Sequence, residues 1–178
     1  MMLLNKLFDT IVGVTYEAQK YISALLLIEK YKSIYQQTPF MEICEVSITQ
    51  NLLISICKIF DNHKASGKAS DNINACFQTL KKELNSYPDL QRVIDSLCEE
   101  YEQTIPRKVR NKVLAHLDLN AMQNGLPFAP RLSSLEQLVN HTCDTLTLIS
   151  HYIYPGDVIF PDTKRLVSQI ESYFPFNI

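Results

Sequence analysis

"NKLFDTIVGVTYEAQKYISALLLIEKYKSIYQQ", Asn5 to Gln37, carries a strict rhythm: Leu7, Ile11, Val14, Ala18, Tyr21, Leu25, Ile28, Lys32 and Tyr35. Steps of four and three alternate, which draws one apolar stripe along a long helix. At 1.5 Å per residue such a helix runs roughly 50 Å, and Pro39 ends it. A helix of that length needs partners to cover its stripe, and the rest of the chain supplies helical patterns. Phe40 to about Asn62 reads as a second helix that is apolar on most sides: Ile43, Val46, Ile48, Leu52, Leu53, Ile56, Ile59 and Phe60. It barely has a wet face, so it belongs at the centre of a bundle or beneath another subunit.

Farther along, "HKASGKASD" (His63–Asp71) is a loop by composition, with Asp71 as candidate N-cap of a third helix to about Asn85. Ile73, Cys76, Phe77, Leu80 and Leu84 form its inner face. Pro88 opens a fourth helix with Leu90, Ile94, Leu97 and Tyr101 inward. Pro106 forces a break or kink, because it lacks an N–H and disfavours helical geometry at Ile105. After the loop "NAMQNGLPFAP", "SSLE" (Ser133 to Glu136) has capping-box spacing. The helix it opens turns Leu135, Leu138, Thr142, Leu146, Ile149 and Ile153 inward. Residues 155–178 give a loop and a short helix, about Asp162 to Tyr173. The expected fold is all-α, an up-and-down bundle of roughly five to six helices in one domain spanning 1–178.

Bulk properties agree. A hydrophobic fraction of 46% supplies a core for 178 residues, and four glycines with no tryptophan argue against a turn-rich β protein. Five scattered cysteines without a CxxC pair suit a reducing compartment and argue against a metal site. At the N-terminus, Lys6 and Asp9 interrupt the apolar run and no small-residue cleavage site follows, so no signal sequence is expected. "YISALLLI" is too short to span a bilayer. These features predict a soluble, cytoplasmic protein without membrane contact. A net charge of -2 makes no global case for nucleic-acid binding.

The local case is "RKVRNKVLAHLDL", Arg107 to Leu119, four of whose first six residues are basic. On a helical wheel Val109, Val113 and Leu117 fall within roughly 80° of one another, with Leu114 some 60° beyond. Arg110 lies inside that arc and His116 about 20° from Val109 on the other edge. Arg107 marks the far margin; Lys108, Asn111 and Lys112 point to solvent. The plain reading is structural: Arg110 lays its stem on apolar neighbours with its head in water, and His116 sits near the negative end of a helix dipole. The functional reading has Arg110 and His116 converging on a phosphate. Guanidinium offers a planar donor fork, imidazole trades a proton near neutral pH, and Arg107, Lys108 and Lys112 attract a polyanion.

"RNKVLAH" resembles the signature of the HEPN superfamily, an arginine, a polar residue, and a histidine after four to six intervening positions. Here five residues intervene between Arg110 and His116, and Asn111 is the first of them. The long first helix, "ISICKIFD" and "RNKVLAHLD" together resemble the abortive-infection U-type branch of phage-defence proteins. That resemblance implies a metal-independent, cofactor-free endoribonuclease, toxin-like or defensive, whose motifs meet across a homodimer cleft. It implies His116 in proton transfer, Arg110 on the phosphorane charge, and Asn111 orienting the phosphate or the histidine. It further implies cleavage by 2′-hydroxyl attack, leaving a 2′,3′-cyclic phosphate and a 5′-hydroxyl. Many toxins paired with nucleotidyltransferase antitoxins carry a tyrosine two residues after the histidine. Asp118 stands there, so the resemblance extends to such an antitoxin partner but not to that tyrosine modification. Other HEPN proteins are non-catalytic modules that bind a nucleotide or a protein partner, which is the alternative function. A plain helical dimer with a solvated basic surface is the third.

Elsewhere, His141, His151 and Asp144 lack the spacing and ligand count of a metal site. His63, Lys64 and Lys68 read as a surface loop, with RNA contact as the functional alternative. The nine tyrosines, spread through apolar stripes, suit core and interface packing rather than base stacking.

Overall fold

In this computed structural model, residues 2–35, 38–60, 75–107, 109–110, 130–153 and 158–173 are described. Helix α1 (Met2–Lys30) follows the heptad spacing, and one further turn, α2 (Lys32–Tyr35), continues it. The single long helix breaks at Tyr31, whose N–H is shared between the carbonyls of Leu27 and Ile28, both at 3.2 Å. Such three-centre bonds are common where helices end. Lys32, assigned to the apolar stripe, is exposed and pairs with Glu29 at 3.3 Å and Glu45 at 3.8 Å.

The buried face of α1 is wider than one stripe. Phe8, Ile11, Thr15, Ala18, Gln19, Ile22 and Ser23 are all buried, whereas Val14, Tyr21 and Ile28 are only half-buried. The reason is partner number. α1 packs mainly against α3 (Pro39–Phe60), α6 (Leu132–Ile153) and α7 (Thr163–Tyr173), so a stripe sufficient for one neighbour becomes a face shared by several. Two polar residues on that face bond internally: Ser23 Oγ donates to the Gln19 carbonyl at 2.7 Å, and Gln19 Nε2 donates to the Pro161 carbonyl.

Pro39 is the first residue of α3, where its missing N–H costs nothing. The helix divides in two. Leu52, Leu53, Ile56, Cys57, Ile59 and Phe60 are buried in the bundle, while Phe40 and Ile43 near its start are 69% and 65% exposed. By length and composition α3 is apolar enough to cross a membrane; its second half instead packs inside the protein.

Helix α4 (Phe77–Glu83) begins later than Asp71 would place it. Cys76 is extended, with φ −141° and ψ 166°, and occupies the cap position, which excludes one helix running from Asp71 to Asn85. Asp71 and Ile73 lie outside the described residues. Cys76, Phe77, Leu80 and Leu84 are buried as the periodicity predicts. α5 (Pro88–Thr104) starts on its proline and buries Leu90, Ile94, Leu97 and Tyr101 against the core. It packs on α6, and α4 bridges α1, α3 and α5. In α6, Ser133 is already the second helical residue and the Arg131 carbonyl accepts from Ser134 and Leu135 at 3.0 and 3.1 Å. The Ser133–Glu136 spacing is therefore not used as a capping box. Asp162 does cap α7, its Oδ1 accepting from the Lys164 N–H at 2.9 Å. Among the described residues every regular element is helical, and the fold is an all-α bundle.

Candidate functional site

The last turn of α5 and the turn after it build the site. Pro106 has the effect expected of it: α5 stops at Thr104, and Ile105 leaves helical geometry at φ −121°, ψ 85°. Helical bonding resumes at once, the Pro106 carbonyl accepting from Val109 at 2.8 Å and Arg110 at 3.2 Å. The break redirects the chain. In a continuous helix, residues eight apart stand roughly 12 Å apart along the axis, yet Arg110 meets Glu102 directly. Its Nη1 donates to Oε1 at 3.0 Å and its Nη2 to Oε2 at 2.8 Å, a fork-on-carboxylate pair.

The other support of the guanidinium is an aromatic wall. The Arg110 guanidinium carbon lies 5.1 Å from the centroid of the Tyr101 ring, a cation–π contact, and Nη1 reaches the Tyr101 hydroxyl at 3.5 Å. Tyr101 is only 2% exposed. Phe60 stacks on its ring at 4.5 Å and 12°, Phe77 tilts against Phe60 at 5.0 Å, and the Tyr101 hydroxyl donates toward Cys57 Sγ at 3.5 Å. The wall thus joins α3, α4 and α5. Arg110 keeps 11% of its side chain exposed, against 57% for Glu102.

Sequence reasoning places Arg110 at the edge of a packed seam with its head either in water or on a phosphate. The head is instead engaged by Glu102, a residue that the apolar periodicity does not single out. Its signal was present: Glu102 follows the inward Tyr101, and a proline four residues later implies that the chain folds back. Val109 is buried and Arg107 is exposed. Lys108, Asn111, Lys112, His116 and Asp118 lie outside the described residues, as do His63, Lys64 and Lys68.

His141 and the thiols of Cys98 and Cys143 have structural surroundings. His141 Nδ1 lies 2.7 Å from Glu100 Oε2, tying α6 to α5. Burial, with Asp144 adding to it, pushes the Cys143 thiol up to about 12; burial, then Asp95, pushes Cys98 up to about 11. Thiols so held are poor nucleophiles at neutral pH. Among the described residues no three His, Cys, Asp or Glu side chains group as a metal site would require.

Against known protein families, residues 18–161 match HEPN AbiU2, about four-fifths of the chain. The chain belongs to the HEPN AbiU2 family. This is an abortive-infection family of HEPN proteins, and the matched span contains both the aromatic wall and the Arg110–His116 motif. Neither the curated proteins nor the solved structures contain a match.

Proposed function

We propose that this HEPN AbiU2 protein is a metal-independent endoribonuclease that serves phage defence by cutting RNA at a site shared between two subunits. Arg110 carries the reading. Its guanidinium is braced by a buried aromatic wall and presents its fork to a carboxylate, the same edge that suits two oxygens of a phosphate. In the proposed reaction the 2′-oxygen attacks phosphorus and the bond to the 5′-oxygen breaks. His116 takes the 2′-hydroxyl proton or protonates the leaving oxygen. Arg110 stabilises the charge of the phosphorane, and Asn111 orients the phosphate or the imidazole. Arg107, Lys108 and Lys112 draw the RNA backbone in. The products are a 2′,3′-cyclic phosphate and a 5′-hydroxyl.

The exposed apolar start of α3, with Phe40 and Ile43, offers surface on which a second copy would pack. A cytoplasmic setting with RNA as substrate completes the proposal, and a nucleotidyltransferase-like antitoxin is its optional partner. A second reading, the non-catalytic HEPN module, is favoured by one observation: the Arg110 fork is occupied by Glu102. The two separate on incubation of RNA with the protein in EDTA, with product termini analysed. The ribonuclease gives cyclic-phosphate ends that vanish in Arg110→Ala; the binding module leaves RNA intact in both.

A further inference from the structure

We propose that Glu102 is a displaceable internal counter-anion, holding the Arg110 fork in the resting protein and giving it up when a phosphate group enters. The inference rests on the reading of Arg110 as a phosphate-binding residue and adds how that site is kept closed.

Three observations support it. The carboxylate takes both terminal nitrogens of the guanidinium at 3.0 and 2.8 Å, so it covers the edge that a phosphodiester would need. Burial is unequal: Arg110 is set against Tyr101, which itself contacts Phe60 and Cys57, whereas Glu102 is more than half exposed. When the pair opens, the arginine stays and the glutamate swings out. Glu102 also lies in the last turn of α5, a turn without a basic residue. The negative end of the helix dipole disfavours a carboxylate there, and Glu99 and Glu100 add like charge on the same helix. Arg110 therefore holds an anion whose own helix repels it, which lowers the cost of releasing that carboxylate to water when a dianionic or polyanionic phosphate chain competes for the fork.

The test measures binding of a fluorescent 2′-deoxy oligonucleotide, a phosphodiester without the attacking hydroxyl, by the full chain. Glu102→Gln is expected to tighten binding about tenfold, since the neutral amide is a weaker competitor for the fork. Glu99→Gln removes the same charge from an exposed position and serves as control. Glu102→Asp keeps the charge but shortens the reach by one methylene, and is expected to tighten binding by a smaller factor; it decides the matter should the glutamine variant fold poorly. In an Arg110→Ala background the Glu102 effect disappears. The proposal is overturned if Glu102→Gln gains no more than Glu99→Gln, if the gain survives Arg110→Ala, or if binding weakens because Glu102 holds the arginine in place. Should Arg110→Ala alone weaken binding while Glu102→Gln matches its control, only the counter-anion role is lost. Should Arg110→Ala leave binding unchanged, the phosphate reading fails with it.

Discussion

Replacing Tyr101 separates two ways in which the site can be supported. Tyr101→Phe removes only the hydroxyl, which among the described residues accepts from Arg110 Nη1 at a long 3.5 Å and donates toward the larger sulfur of Cys57 at 3.5 Å. Such bonds contribute about 0.5–1.5 kcal/mol. For a protein of this size that is a fall in Tm of about 1–6 °C. The ring that stacks on Phe60 at 4.5 Å and underlies the guanidinium remains. Tyr101→Ala removes that ring from a position 2% exposed and leaves a cavity, at a cost of about 3–5 kcal/mol. The assay is urea unfolding followed by far-UV circular dichroism, with binding of the 2′-deoxy oligonucleotide measured on the same samples. Tyr101→Phe should keep its affinity within about threefold of wild type, because the cation–π support is retained, while Tyr101→Ala should lose most binding even where it is folded. If Tyr101→Phe loses as much stability and binding as Tyr101→Ala, the hydroxyl and not the aromatic wall holds Arg110, and the reasoning fails.

Other perturbations probe other links. Pro106→Ala restores an N–H and permits helical geometry at Ile105, so helical content should rise and the energetic coupling of Glu102 to Arg110 in a double-mutant cycle should fall; undiminished coupling would show that the proline does not create the contact. Glu171 accepts hydrogen bonds from Lys30 Nζ at 2.6 Å and from the Tyr31 hydroxyl, and these partners, Lys30 foremost, hold its carboxyl below the usual value. A depressed folded-state pKa stabilises fully above the ordinary glutamate value and is lost as pH falls through the lowered one. The protection of residues 163–173 against hydrogen exchange, with rates corrected for their intrinsic pH dependence, should fall on acidification below about pH 4, and Glu171→Gln should show that lower protection already at neutral pH. Phe40→Ser combined with Ile43→Ser should shift sedimentation from dimer to monomer without lowering helical content; an unchanged sedimentation coefficient places the interface elsewhere.

Much of the bundle was legible because it depends on local pattern. The inner face of α5 and the break at Pro106 follow from apolar spacing and proline sterics, and both stand in the structure as expected. Features that depend on neighbours were not legible. Thr15, Gln19 and Ser23 interrupt the apolar pattern of α1 yet are buried, since several helices enclose it and internal bonds satisfy part of their polarity. Cys76 stays extended although its spacing fits the inner face of a longer helix. Periodicity tells which face is buried but not where helical dihedrals begin. The Ser133–Glu136 spacing fits a capping box, but α6 starts at Leu132, immediately before it. At the candidate site the motif arginine was legible from spacing. Its partner was not, because Glu102 reaches Arg110 only through the redirection at Pro106, which a single helical wheel cannot represent.

The central claim is that Arg110 and His116 form a ribonuclease site needing no metal. Its most direct measurement is the rate of RNA cleavage in EDTA by wild type and by His116→Ala. Loss of one proton-transfer group is predicted to slow cleavage at least about 100-fold, with folding unchanged by circular dichroism. Intact RNA with the wild type, or equal rates for the two proteins, would contradict the account.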